Sequence, residues 1–225
     1  MTIDDARALV ADTALWPRVR DFLWDFAPQI HASWLDGLGF ETTGTNREAG
    51  FDASQFAGLM SSPRVKRFVL KSLGVSACFH PFPKEDHSRL LLLDGPTLEA
   101  IAKWLGAIAS VDALRRVTDG ATVRGLKASL PGIYPDVFGF TAYFKGLEIL
   151  CAENSHENVA STGASILASL IAPLPEPLSS RLKFKLPKGL CDGCALRGEK
   201  EMSAAGAAVK KLLKLKFPEA YKLCC

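Results

Sequence analysis

The sequence predicts a predominantly all-α fold: a compact multi-helix domain with at most one or two short extended segments. Two observations predict it. Leu98, Ile101, Leu105 and Ile108 recur at steps of three and four residues, with Glu99, Lys103 and Asp112 off that stripe. This is the spacing of a helix with one apolar face. The same spacing returns in Val123, Leu126 and Leu130, then in Val137, Phe140, Phe144, Leu147 and Cys151, and again between Glu199 and Phe217.

In chain order, residues 4–12 read as a short helix and Trp16-Pro17 is expected to begin another, with Val19, Phe22, Leu23 and Phe26 crowded on one side. Ala27-Pro28 breaks it, and Ile30 to Leu35 shows no assignable period. Gly37 to Ser54 is rich in glycine and threonine and reads as a surface loop. Phe56, Leu59 and Met60 resume helical spacing, and Ser62-Pro63 starts a helix carrying Val65, Phe68, Val69 and Leu73. Phe79 to His87, with two prolines, reads as a loop. Arg89 to Asp94 fits either a strand or the lead-in to the central helix, because so short a run has no decisive period.

Asp94-Gly95-Pro96 supplies the start of the central helix, the proline losing nothing in a first turn whose N–H groups have no partner. Asp119-Gly120 is its expected end, glycine supplying the left-handed closing residue. Ser155 is the expected N-cap of a helix to about Ala172. Its small residues Ala160, Gly163, Ala164 and Ala168 suit burial against a close neighbour. Pro173 to Pro177 reads as a stiff extended connector. Arg181-Leu182-Lys183-Phe184-Lys185-Leu186-Pro187 alternates basic and apolar residues, the period of an edge strand or extended segment. In the last helix, Ala205, Ala208, Val209, Leu212 and Leu215 are expected inward, and Lys210, Lys211, Lys214 and Lys216 largely outward.

The 225 residues suffice for one domain, 1–225, with the 188–198 loop and the 199–217 helix as a possible appendage. A net charge of +3 is too small to call for a polyanionic partner, and the lysines of the last helix lack interleaved aromatics, so no nucleic acid is expected. No window approaches the roughly 18 apolar residues of a membrane span, so direct membrane insertion is not expected. The acidic start Met1-Thr2-Ile3-Asp4-Asp5 is unlike a secretory signal, which points to the cytoplasm, where the six cysteines would be thiols.

Cys191-Asp192-Gly193-Cys194 is the sharpest local motif. Two thiolates at this spacing can share one zinc ion, but a structural site needs four ligands, and Cys224-Cys225 is adjacent rather than spaced. Incidental thiols are the favoured reading, and a zinc-dependent protein-binding module using Cys191 and Cys194 is the alternative. His80 and His87 flank a charged loop, and His31 and His156 read as structural. Nucleophile-elbow, phosphate-loop, dinucleotide and zincin motifs are missing from the sequence, so no catalytic residue and no cofactor are expected.

Read together, several segments resemble the SctK family (YscK and PscK among its members), cytoplasmic accessory proteins of the type III secretion sorting platform. The segments are Leu98 to Gly106, Leu114-Arg115-Arg116-Val117, Leu126 to Pro131, Leu182 to Pro187, and Val209 to Leu213 with Phe217-Pro218; Pro28 to Leu35 joins them less closely. The resemblance spans most of the chain in order. The Cys191/Cys194 loop departs from it. It implies a non-catalytic adaptor, monomeric when alone, at the cytoplasmic face of the inner-membrane apparatus. Such an adaptor would link the cytoplasmic domain of the ring protein SctD to the SctQ pod. Arg115, Arg116, Lys210 and Lys211, charges on otherwise apolar helices, are the candidate partner-binding residues.

Overall fold

A computed structural model describes residues 15–35, 38, 58–75, 82, 87–140, 158–191, 196 and 198–224. Among them are ten α-helices, three short 3-10 turns and no strand, so the protein is all-α. The chain separates into two compact units: Met1–Gly95 with Leu174–Lys188, and Pro96–Pro173 with Gly189–Cys225.

The first unit holds α1 (Leu15–Trp24), α2 (Pro63–Ser72), α8 (Glu176–Lys185) and 3-10 turns at Ala27–Gln29, Ala32–Trp34 and Ser88–Leu92. Val19, Phe22, Leu23 and Phe26 are buried as their spacing requires. The Phe22 ring meets Phe26 and Phe82 edge to face, centroids 5.7 and 6.0 Å apart. Pro28 lies in a first tight turn, Ala27–Gln29, and the unassigned stretch Ile30 to Leu35 holds a second, Ala32–Trp34. His31 starts the second, its Nδ1 accepting the Ser33 N–H at 3.2 Å, which is the structural role expected of it. Arg89 to Asp94 is a lead-in to the central helix, in 3-10 form. Ser62 occupies the N-cap position of α2, but its side chain makes no capping hydrogen bond.

The largest correction concerns 173–187. The expected connector and extended segment are a helix: Glu176 and Pro177 open α8, which runs to Lys185. Leu178, Arg181, Leu182 and Lys185 are all buried. Their spacing of three, four and seven makes one helical stripe, two of whose members are cations.

The second unit holds α3 (Gly95–Ala109), α4 (Val111–Arg116), α5 (Gly120–Ser129), α6 (Val137–Phe140), α7 (Val159–Ile171), α9 (Glu199–Lys216) and α10 (Pro218–Cys224). Leu98, Ile101, Leu105 and Ile108 of α3 are fully buried, as predicted. Asp119 does not end this segment. It begins the next helix, its Oδ2 accepting the Thr122 N–H at 2.7 Å, while Gly120 is the first residue of α5. That bond, then the Thr122 hydroxyl and the Ala121 N–H, hold the Asp119 carboxyl below its usual pKa.

The small residues of α7 serve as expected. Helices α3 and α7 cross at Gly106 and Gly163, and a methyl on Gly106 would overlap the Val159 carbonyl oxygen and lie 2.7 Å from its carbon. A methyl on Gly163 would overlap the Ala102 oxygen and lie 2.7 Å from the Gly106 nitrogen. Only glycine permits this approach. Helix α7 starts at Val159 with Asn158 at the N-cap position; the expected cap, Ser155, lies outside the described residues. So do residues 4–12, His80, His156, and Phe144 to Cys151. Helix α9 packs against α7 and α10.

Candidate functional site

The chemistry-bearing residues fall into three groups. The first is internal. Arg181 and Lys185, one turn apart on α8, are 2 % and 1 % exposed. The Arg181 guanidinium donates to the carbonyls of Phe22 and Leu23, the latter at 3.3 Å. These are among the last carbonyls of α1, which have no acceptor role inside their own helix. A cation there also opposes the negative end of the helix dipole. The Phe22 and Phe26 rings lie 5.3 and 4.9 Å from the guanidinium carbon, so its charge rests on aromatic faces.

Lys185 repeats this arrangement on the Ser88–Leu92 turn. Its Nζ donates to the carbonyls of Leu91 at 2.6 Å and Leu93 at 2.8 Å. Burial lowers its pKa to about 7; the Asp94 carboxylate opposes this, while Arg18 and Arg181 add to it. A neutral amine retains two N–H bonds, enough for two carbonyls. The cations of 181–188 therefore divide. Arg181 and Lys185 close the ends of other elements, while the exposed Lys183 and Lys188 lie over the Phe184 and Trp34 rings at 4.8 and 5.9 Å. The Trp34 indole N–H in turn donates to the Leu186 carbonyl at 2.9 Å.

The second group lies on α9. Ala205, Ala208, Val209 and Leu212 are buried as expected, but Leu215 is not: 48 % of it faces solvent. It stands next to Lys214 and one turn on from Lys211, with Lys210 and Lys214 exposed and Lys211 half-buried. Lys216 departs in the opposite sense. Its Nζ sits 4.6 Å from the Trp104 ring and 4.5 Å from that of Phe140, 3.9 Å from the Asp136 carboxylate. The inward and outward assignments of Leu215 and Lys216 are thus exchanged. The Trp104 and Phe140 rings and the Asp136 carboxylate draw Lys216 inward, against the direction its place in the stripe predicts.

The third group is Arg115 and Arg116 at the end of α4. Both are exposed, and Arg115 pairs with Asp112 at 3.4 Å. The four candidate partner-binding residues therefore sit on two separate helices, α4 and α9. Cys191 is half-buried in the turn after Gly189, and Cys194 lies outside the described residues. Among the described residues no three His, Cys, Asp or Glu side chains gather as a metal set. Nor is any described helix long and apolar enough to cross a membrane.

No known protein family, curated protein or solved structure matches the chain.

Proposed function

We propose that this chain is a non-catalytic adaptor of the type III secretion sorting platform, linking the cytoplasmic domain of SctD to the SctQ pod. The exposed end of α9 is the docking surface for one of them. What carries the reading is the set Lys210, Lys211, Lys214 and Leu215: a half-exposed leucine among lysines, on a helix whose other face is packed. A single surface leucine is ordinary. A leucine bordered by Lys211 and Lys214 offers an apolar anchor with a polar edge, the anatomy of a protein-binding patch. An acidic, apolar patch is its complement. Arg115 and Arg116 on α4 add exposed cations of the same sign.

Two further features support a scaffold. The resemblance to SctK proteins lies in the segments that build α3, α4, α5, α8 and α9. The buried cations of α8 are also engaged with backbone carbonyls, which suits holding a shape.

The test is capture of purified SctQ and SctD cytoplasmic domain from the same genome by the intact chain. Leu215→Ser and the double reversal Lys210→Glu, Lys211→Glu are each expected to weaken one partner at least tenfold with the helical circular dichroism unchanged. Reversing Arg115 and Arg116 is expected to act in the same sense. Unchanged capture by all of these variants would make the four charges ordinary solvated surface.

A further inference from the structure

Helix α2 carries a second surface of different character. Its sequence, Pro63 to Ser72, contains four basic residues and no acid. Val69 is buried, and Lys66 is held by both oxygens of Asp25 at 2.8 Å. The opposite side exposes Arg64, Arg67, Phe68 and Lys71, positions spaced three, four and seven apart and hence one face. Phe68 is half exposed, at 50 %. The face is thus one aromatic ring framed by three cations.

We infer that this face of α2 binds an anionic lipid surface, with Arg64, Arg67 and Lys71 at the phosphates and the Phe68 ring at headgroup depth. Charge complementarity fixes the sign of the partner. Size and shape favour a lipid surface over a protein. Ten residues at about 1.5 Å each, on a cylinder about 10 Å wide, present on the order of 150 Å². A stable protein interface takes about 800 Å² from each partner, with matched relief. A fluid layer of phosphates needs neither, because its headgroups gather around a convex helix. Basic residues with a bulky ring on an amphipathic helix are the composition of such interfacial contacts. This inference goes beyond the adaptor reading and rests on different residues.

The experiment is co-sedimentation of the full chain with vesicles of phosphatidylcholine, with and without phosphatidylglycerol. Binding is expected only where phosphatidylglycerol is present, and is lost at about 1 M salt, where screening acts within about 3 Å. Arg64→Ala, Arg67→Ala and Lys71→Ala are each expected to weaken it about fivefold. Phe68→Ala is expected to weaken it as well. All four positions are exposed, so the variants fold, as circular dichroism would verify. The α9 reversal Lys210→Glu, Lys211→Glu is expected to leave vesicle binding intact, which separates this inference from the adaptor reading. Equal sedimentation with both vesicle types would overturn it, as would α2 variants that bind like the parent. Retention on immobilised polyglutamate without vesicle binding would also overturn it, in favour of an acidic protein partner.

Discussion

Gly106, Gly163 and Gly125 are three helical glycines for which the same added methyl should have opposite effects. In α5, Gly125 is exposed and a methyl there meets nothing within 4 Å. Gly125→Ala then gains only the better helix propensity of alanine, about 0.5–1 kcal/mol. At Gly106 and Gly163 that gain is outweighed. Each methyl meets backbone of the facing helix, the Val159 carbonyl or the Ala102 carbonyl, and backbone cannot rotate aside as a side chain does. Overpacking in a core costs about 1–3 kcal/mol when side chains absorb it. Here the helices must move apart, so the cost reaches at least the upper end. The net expected destabilisation is about 2 kcal/mol or more for either Gly106→Ala or Gly163→Ala. The double variant should cost less than the sum, since the first methyl already opens the crossing. Urea denaturation followed by helical circular dichroism measures all four. If Gly106→Ala and Gly163→Ala are neutral or stabilising like Gly125→Ala, the α3–α7 crossing is not as described.

Three further outcomes follow from the buried cations and the cap. In the unfolded chain Lys185 keeps its proton up to the ordinary 10.5, whereas in the folded chain it releases it near 7, so the unfolded state binds more protons across that window. Stability therefore rises with pH from about 7 to 10.5, by at most about 5 kcal/mol from this group. Lys185→Met should lose that rise, and parallel pH curves for parent and variant would contradict it. Arg181→Met leaves the Phe22 and Leu23 carbonyls without their donor and should destabilise by about 2 kcal/mol or more, with Arg181→Lys an incomplete rescue; an unchanged urea midpoint would refute this. Asp119→Ala removes the side-chain cap of α5 and should lower the same urea midpoint, with no loss meaning the cap is idle.

The stripe of α3 was legible because Leu98, Ile101, Leu105 and Ile108 are all aliphatic and all buried, so period and burial coincide there. The α7 crossing was legible because small residues have few uses in a helix other than close approach. Helix α8 was hidden for the converse reason. With Arg181 and Lys185 taken as outward-facing, Arg181 to Pro187 has a period of two. With them inward, Leu178, Arg181, Leu182 and Lys185 have a period of 3.6. Nothing local signals that a cation will find carbonyls from α1 or from the Ser88–Leu92 turn, since those acceptors lie more than 90 residues away in sequence. Asp119-Gly120 has two valid local meanings, helix stop and helix start, and the Thr122 N–H and hydroxyl favour the second. The α9 candidates were half legible. Lys210 and Lys214 follow the stripe, whereas the exchange of Leu215 and Lys216 depends on Trp104 and Phe140, which no pattern within 199–217 could reveal.

An adaptor of this kind holds two proteins at once. Size-exclusion chromatography of the intact chain mixed with SctQ and the SctD cytoplasmic domain from the same genome tests it most directly. A single species containing all three, formed only when the chain is present, is the predicted result. Elution of the chain free of both partners, or with SctQ and SctD displacing one another from it, would contradict the claim.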